Sequence, residues 1–347
     1  MSSFSSRLIA WQRTHGRHDL PWQSASAYHV WLSEIMLQQT QVATVIPYYQ
    51  RFTASFPTIA ALAAATEEQV LAHWSGLGYY ARGRNLHRAA QIIMEKHHGE
   101  FPRDYDQILE LPGIGRSTAA AICALAWHER RAILDGNVKR VLARYCGIAG
   151  SSAEKGVEAQ LWQQADALLP QRDIADYIQA QMDLGATLCT RSKPKCGECP
   201  VHSDCVAFQS GRVSELPTPR PRKAMPERHA TFLLLMHGND ILLEKRPGSG
   251  IWGGLWCPPQ LEDGQGIAAD YLQRNGIKVS ERIELGGFTH TFTHFKLHIT
   301  PVLLLVAHKP QRVQQAGSVW LDVEEALQAA IPTPVRKVLR ELHSGRS

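Results

Sequence analysis

Residues 111–141 read LPGIGRSTAAAICALAWHERRAILDGNVKRV, and this stretch decides how the rest of the chain is understood. It opens with Pro112-Gly113-Ile114-Gly115, a tight turn between two helical patterns. Glycines open backbone conformations closed to other residues and let another chain come close. The N–H groups at the start of the following helix can hold a phosphate, and Arg116 adds a charge. An ordinary helix–helix turn can have this composition too. The full LPGIGRSTAAAI is more specific, because it adds a small-residue helix able to pack closely. At the far end lies Asp135 in ILDGNVKRV, where Val138, Val141, Leu142 and Tyr145 give the next helix its apolar face. An aspartate in that place is ordinarily a helix cap. The run Asp135-Gly136-Asn137 offers Asn137 as the better-placed cap, which leaves Asp135 at the positive end of the helix, ionised and free to point elsewhere.

A second carboxylate lies upstream. Glu34, in VWLSEIML, sits within a predominantly apolar helical pattern beside Val30, Trp31, Leu37 and Gln38. It occupies either a narrow exposed stripe or a partly buried position with a raised pKa. The second alternative suits a general acid near neutral pH. Together the two carboxyls offer an acid for a leaving group and an anion for an oxocarbenium ion, the combination that glycosidic cleavage needs.

Downstream, four of the seven cysteines fall in one loop, Cys189-x6-Cys196-x2-Cys199-x5-Cys205. Such a loop can wrap a tetrahedral metal or a cubane cluster. Zinc sites usually use two close pairs, whereas only one pair is close here, so the spacing favours [4Fe–4S] over zinc. Arg191, Lys193 and Lys195 lie inside the loop. They could hold a phosphate strand, or they could only offset thiolate charge.

Around these motifs the first 212 residues read as all-α. Phe4, Leu8 and Trp11 recur at helical spacing before His15-Gly16 stops the first helix. A second helix is expected from Val30 to Gln41 and a third from about Ile46. Thr66 with Gln69 forms a capping-box pattern for the helix bearing Val70, Leu71 and Trp74. Leu86, Ala89, Ala90 and Ile93 mark a further helix. Residues 213–228 are rich in proline and basic residues and read as a solvated, semi-extended linker. Beyond it the texture changes to α+β. TFLLLMH, a Gly238-Asn239-Asp240 turn and ILLEKR predict a hairpin. A helix over about Ile267 to Arg274 follows, then the strand-like runs GGFTHTFTHFKLHIT and PVLLLVA. Asp322 and Glu325 suggest a capping box for a helix through Ala330. Phe288, His290, Phe292 and His294 alternate along one expected strand face.

A chain of 347 residues can carry two such domains, each with its own core. The net charge of +5 is modest, so any surface for a polyanion must be a local patch. The N-terminus lacks the apolar core of a signal peptide, and no apolar run approaches the roughly 18 residues of a membrane helix. A soluble, intracellular protein with no membrane partner is expected.

WLSEIMLQQTQV, GLGYYARGRNL, LPGIGRSTAA, LDGNVKRV and the four-cysteine loop, in this order, resemble the MutY-type adenine DNA glycosylases over nearly the whole chain. The resemblance implies a helix-hairpin-helix glycosylase domain over 1–212 with a [4Fe–4S] cluster on Cys189, Cys196, Cys199 and Cys205. It also implies a Nudix-like domain over 229–347 that recognises 8-oxoguanine. The implied activity is excision of adenine mispaired with 8-oxoguanine or guanine in double-stranded DNA, by a cytoplasmic, nucleoid-associated monomer. In that scheme Glu34 protonates the adenine ring and Asp135 stabilises the oxocarbenium ion. The adenine must be flipped out of the duplex. Trp22, Asn137 and Gln179 line its pocket, and core packing is the other reading of Trp22. Gln39, Leu77 and Tyr79 meet the 8-oxoguanine, with core packing again open for Leu77. Gly113, Gly115, Arg116, Ser117 and Lys139 contact the DNA backbone. The lesion-reading element is Phe292-Thr293-His294, where the family carries Phe-Ser-His.

Two departures bear on the chemistry. Endonuclease III-type relatives, bifunctional glycosylase/lyases for damaged pyrimidines, carry a Schiff-base lysine where this chain has Ser117. An efficient strand-cleaving step is therefore not expected, although Lys139 could trap the abasic product weakly. The loop from Gly253 lacks the acidic helix of a Nudix pyrophosphatase, so nucleotide hydrolysis is not expected either. A non-catalytic, redox-sensing DNA-binding protein is a third reading, disfavoured because both carboxylates are present.

Overall fold

The computed structural model describes residues 3–23, 26–219, 224–262, 268–309 and 317–344. By internal contacts the chain divides into two compact units, 1–64 with 85–222 and 65–84 with 223–347. The division does not follow a single cut at the proline-rich stretch, since residues 65–84 group with the C-terminal module.

The helices in the first two-thirds are α1 (Ser3–His15), α2 (Ala27–Leu37), α3 (Val42–Ser55), α4 (Ile59–Ala64), α5 (Glu67–Trp74), α6 (Ala81–Lys96), α7 (Tyr105–Leu109), α8 (Arg116–Trp127), α9 (Gly136–Tyr145), α10 (Lys155–Leu168), α11 (Ile174–Thr187) and α12 (Val206–Gln209). Two single 3-10 turns, Cys196–Glu198 and His202–Asp204, shape the cysteine loop. Among the described residues before 212 there is no strand, as the periodicity predicts. The helix carrying Glu34 ends at Leu37, four residues short of the expected Gln41, and Gln39 takes a left-handed φ of 57°.

α2 packs on α8, while α11 packs on α1, α8 and α9. The α9–α11 crossing is close. A Cβ on Gly185 would come within 2.6 Å of the Asn137 Cβ, so only glycine fits there. The core around it joins Phe4, Leu8, Val138, Val141, Leu142, Tyr177, Ile178 and Leu184, all nearly or fully buried. Burying side chains of this size stabilises by about 1.5–3 kcal/mol each.

Residues 212–219 are less free than a solvated linker. Leu216 is buried, its carbonyl accepts from Arg144 Nε at 2.8 Å, and Thr218 Oγ1 accepts from the Gly150 N–H at 2.9 Å. Residues 220–223 lie outside the described residues.

In the second unit one mixed sheet contains β1 (Glu227–His237), β2 (Asp240–Lys245), β3 (Trp256–Cys257), β4 (Gln260–Glu262), β5 (Val279–Glu284), β6 (Phe288–Thr291), β7 (Lys296–Val306) and β8 (Ser318–Asp322). Its spine runs β3-β2-β1-β7-β5, with β4 on β1, β6 on β7 and β8 on β2. β1 and β7 are parallel and the other pairs antiparallel. Helices α13 (Ala268–Arg274), α14 (Val323–Gln328) and α15 (Thr333–Ser344) complete it. Ile267, the expected first residue of α13, lies outside the described residues.

The two expected strand runs are cut differently in the structure. GGFTHTFTHFKLHIT breaks at residues 292–295, and KLHIT joins PVLLLV as one strand through Pro301. The Pro301 carbonyl accepts from the Leu285 N–H at 3.1 Å, so its missing N–H faces the same edge. There β6 pairing ends at Phe288↔Ile299 and β5 pairing begins at Glu284↔Val302. A proline is tolerated where no ladder bond is due. Asp322 caps α14 through the Glu324 N–H, and that helix stops at Gln328 instead of Ala330. The apolar stripe Val335, Val338, Leu339 and Leu342 of α15 is buried, which the sequence reading passed over. Among the described residues no helix is long and apolar enough to cross a membrane.

Candidate functional site

Asp135 occupies the N-cap of α9, and its Oδ1 accepts from the Val138 N–H at 2.7 Å. The expectation that Asn137 caps the helix is therefore wrong. Asn137 lies inside the first turn, where its Oδ1 accepts from Arg140 Nη2 at 2.8 Å. Capping does not exhaust Asp135, because a carboxylate has a second oxygen. Its acidity also differs from the expectation. Burial pushes its pKa above the usual aspartate value, while the Val138 N–H, Arg140, the Asn137 N–H and Lys139 pull it back, and the net direction is upward.

Glu34 follows the partly buried alternative. As a residue it retains intermediate exposure. Burial, and secondarily the charge of Asp135, pushes its pKa up to about 8. The two carboxyls thus feel each other, and their surroundings differ. Every cause acting on Glu34 favours its neutral form, whereas amide donors and two cations favour the Asp135 anion. The two therefore titrate as a coupled pair, with both carboxyls shifted toward the neutral form and Asp135 partly held back by its donors and cations.

Ser117, in the first turn of α8, accepts the Leu134 N–H at 2.9 Å and so ties the hairpin to the segment that ends at Asp135. Gly113 has φ 82°, and a Cβ there would meet the Asn85 Cβ at 2.9 Å. Gly115 is the N-cap of α8. The two cations expected to contact the DNA backbone are already engaged by α10. Arg116 lies 3.7 Å over the Trp162 ring and 3.8 Å from Asp166, and Lys139 pairs with Glu158 at 2.5 Å.

Among the residues expected around a flipped base, Trp22 is buried and sits edge-on to Tyr49, with ring centroids 5.3 Å apart. Gln179 is buried, and its amide donates to Asp183 Oδ1 at 2.9 Å. Asp183, fully buried, also accepts from the Arg17 backbone at 2.9 Å and forms an ion pair with its guanidinium at 2.7 Å. The sequence reading missed this anchor. A carboxylate four residues after Gln179 on one helix face, in QAQMDLG, was the available signal.

Of the residues expected to meet the opposite base, Gln39 is exposed, Leu77 is buried and Tyr79 is 43% exposed. The core-packing alternatives for Trp22 and Leu77 therefore match their burial. Within the second unit the Tyr79 hydroxyl lies 3.4 Å from Thr293 Oγ1. Phe292, Thr293 and His294 do not continue the β6 strand face. They form the turn into β7, where Phe292 stacks on Phe295 at 4.4 Å and packs beside His290 and Trp252, while Thr293 and His294 are exposed.

The four thiols of the 189–205 loop line one cavity together with Val141, Arg144, Leu184, Leu188 and Pro194. Among the described residues no three acidic, histidine or cysteine side chains converge closely enough for a single metal ion. Four thiols lining one cavity are a donor set that a metal centre or an iron–sulfur cluster could take. Two arginines on α9 hold the loop. The Arg144 guanidinium, almost fully buried, donates to the carbonyls of Thr190, Arg191 and Leu216 and lies 3.4 Å from Cys189 Sγ. Arg140 donates to the Cys189 carbonyl at 2.7 Å and to the Gly185 carbonyl at 2.7 Å. Both arginines escaped the sequence reading.

Three family models match the chain. One described as a HhH-GPD superfamily base excision DNA repair protein covers residues 32–166, an iron-sulfur binding domain of endonuclease III covers 189–205, and a NUDIX domain covers 230–341. The loop accordingly carries a [4Fe–4S] cluster. A thermostable thymine-DNA glycosylase is similar in structure, with TM-score 0.54 and 27% identity over 60% of this chain and 95% of that one. An endonuclease III–DNA complex, at TM-score 0.52 and 20% identity over 61% of this chain and 98% of the other, shares the fold. The adenine DNA glycosylase of Buchnera aphidicola subsp. Acyrthosiphon pisum is 38% identical over 97% of this chain and 96% of its own length. That of Homo sapiens is 35% identical over 98% of this chain and 74% of its own. With a helical repair domain, an iron–sulfur loop and a Nudix-like module in the same order and over nearly its full length, the chain belongs to the adenine DNA glycosylase family.

Proposed function

We propose that the protein removes adenine mispaired with 8-oxoguanine, and with guanine, from double-stranded DNA, as a monofunctional glycosylase in base excision repair. The observation that carries this reading is the pair Glu34 and Asp135, a carboxyl whose pKa burial pushes up to about 8 and which feels the charge of a second carboxyl set at the N-cap of α9. In the proposed step the Glu34 carboxyl donates its proton to an adenine ring nitrogen. The bond from C1′ of the sugar to adenine breaks, and its electron pair leaves with the base. The Asp135 carboxylate faces the positive charge left on the sugar. Water then adds to C1′, and its proton returns to the Glu34 carboxylate.

Trp22, Asn137 and Gln179 enclose the flipped adenine in this reading, with Gln179 oriented by the Arg17–Asp183 pair behind it. Gly113, Gly115, Arg116, Ser117 and Lys139 face the phosphate backbone, and Gln39, Leu77, Tyr79, Phe292, Thr293 and His294 face the opposite base. Cys189, Cys196, Cys199 and Cys205 are the cluster's ligands. The cluster, when bound, cross-links the loop that Arg140 and Arg144 fasten to α9, the helix whose N-cap is Asp135. The helical domain spans 1–212 and the lesion-recognition domain 229–347 in sequence, and the protein acts as a monomer in the cytoplasm, at the nucleoid.

The test is adenine release from A:8-oxoguanine, A:G and A:T duplexes, with the wild type and Asp135→Asn. Release from the first two, lost in the variant, is expected. Equal release from A:T, or a fully active variant, defeats the reading. Strand breaks must also lag behind base release when no base or heat is added, because Ser117 supplies no amine. Breaks at the turnover rate would make the enzyme a lyase.

A further inference from the structure

The turn that carries Tyr79 is unusual in its backbone. Gly76, Gly78 and Tyr79 all have positive φ, at 106°, 72° and 47°. For a tyrosine that conformation costs on the order of 1–2 kcal/mol, and it persists only where the surroundings impose it. Locally, Arg82 imposes it. Its Nη2 donates to the carbonyls of Leu77 at 3.3 Å and Gly78 at 3.1 Å, while its guanidinium lies 5.5 Å from both the Trp74 and Tyr79 rings. The Trp74 indole N–H donates to the Gly78 carbonyl at 3.3 Å, and the Arg82 N–H to the Tyr79 carbonyl at 2.8 Å.

The turn and its flanking helix are in turn gripped by the C-terminal module, within the same compact unit. Glu68 on α5 accepts the Trp256 indole N–H at 2.5 Å and pairs with Lys245 at 3.3 Å. The Ser75 hydroxyl donates to the Ile331 carbonyl at 2.5 Å and accepts from Arg336 Nη2 at 2.9 Å. Arg84 donates to the Gly253 carbonyl at 2.6 Å. Gly254 leaves room for α5, since a Cβ there would meet Glu67 at 3.1 Å and Leu71 at 3.4 Å. The grips lie at residues 68, 75 and 84, before, at the start of and after the strained turn. At its exposed end the Tyr79 hydroxyl reaches Thr293.

We infer that Glu68, Ser75 and Arg84 are positioning residues through which the C-terminal module sets the Tyr79 turn, so that the Tyr79 and Thr293 hydroxyls form one preset reader of the base opposite adenine. The inference rests on the proposed reading of Tyr79 and Thr293 as contacts to that base. It gives residues 65–84, which lie in sequence inside the helical repair domain, a share in lesion discrimination that depends on the C-terminal fold. The module then acts on specificity in two ways, with its own turn at 292–294 and by holding a second turn in place.

The test compares single-turnover adenine release from A:8-oxoguanine and A:G duplexes for full-length wild type, Tyr79→Phe, the double variant Glu68→Ala/Ser75→Ala, and the triple combination. The double variant is expected to keep the A:G rate and to lower the ratio of the two rates by about tenfold, the scale on which sub-ångström misplacement acts. Tyr79→Phe is expected to lower the ratio in the wild-type background and to add nothing in the double variant, since a reader no longer held in place has nothing more to lose. Amide exchange at Arg82 should rise in the double variant without DNA. Glu68→Gln, which keeps an acceptor for Trp256, should restore part of the ratio when paired with Ser75→Ala. An unchanged ratio alongside a lowered melting temperature, or losses that simply add, overturns the positioning role. A wild-type ratio near one instead overturns the reading of Tyr79 and Thr293 on which the inference rests.

Discussion

The helical unit and the sheet unit differ in how far they expose their candidate functional groups. In the helical unit three of these groups are backed by charged side chains that the protein partly or wholly encloses. Gln179 leans on the Asp183–Arg17 pair, Asn137 on Arg140, and the cysteine loop on Arg144. In the sheet unit the candidate readers Thr293 and Tyr79 are themselves exposed: Thr293 sits in a turn packed through Phe292 on Phe295, and the Tyr79 turn is held by the buried Arg82, which donates to its carbonyls. Buried ionic anchors fix a side chain rigidly and are costly to break on one side. Exposed hydroxyls on a packed base can be exchanged at little cost to the fold. The contrast matches a division of labour, with bond breaking, which tolerates little misplacement, in one unit and discrimination, a matter of a few hydrogen bonds, in the other.

The comparison can be broken at its strongest point first. Glu34→Gln should lower single-turnover adenine release by about 10²–10⁴-fold, the range of a lost general acid. The same variant tests its acidity. Glu34 holds its proton more tightly folded than unfolded, so wild-type stability falls as pH rises from the ordinary glutamate value of 4.5 through about 8. Glu34→Gln lacks that penalty and should melt higher than wild type at pH 8.5, with the gap closing by pH 4. A gap that is the same at both ends would deny the raised pKa. Wild-type adenine release should itself fall as pH rises past about 8, where Glu34 loses its proton.

Asp135→Asn comes next. Asparagine caps a helix as well as aspartate does, so the melting temperature should barely move while release drops by about 10²–10³-fold. A large loss of stability would mean that the cap dominates. For the loop, Arg144→Leu leaves several buried carbonyls without their donor, at about 1–3 kcal/mol for each group left unsatisfied. Iron content after purification should fall, and unaltered iron occupancy would show that the loop holds itself. The smallest effect belongs to the sheet unit. Thr293→Ala should lower the A:8-oxoguanine over A:G ratio by a few-fold, about one hydrogen bond, with the melting temperature unchanged. A drop in the A:G rate of the same size would move Thr293 out of discrimination.

Much of the helical unit is legible in the sequence because its signals are local. The Thr66–Gln69 capping box is present as both reciprocal bonds, the glycine hairpin sits where the motif places it, and the four cysteines share a cavity. What escapes are long-range pairings. Nothing in the sequence around Arg144 tells that its guanidinium is buried against Thr190 and Leu216. The choice of Asn137 over Asp135 as cap failed because cap geometry depends on where the backbone enters the helix, and Gly136 already has helical geometry. In the sheet unit, alternation of Phe288, His290, Phe292 and His294 promised one long strand, but the ladder to β7 ends at Thr291. Periodicity carries the pattern of faces and says nothing about where pairing stops. The grouping of residues 65–84 with the C-terminal module is likewise invisible to composition, since their helical texture matches that of their sequence neighbours.

The pairs Lys139–Glu158 and Arg116–Asp166 have a consequence for how binding responds to ions. A cation that meets a phosphate ordinarily frees a condensed counterion from DNA, and affinity falls steeply with salt. Here each cation arrives with a carboxylate as its own counterion. In the proposed DNA complex the phosphate displaces that carboxylate, which then attracts a cation from solution, so ion uptake offsets ion release. The protein should therefore grip DNA with a shallower salt dependence than its row of positive charges suggests, and hold it more evenly as ionic conditions change.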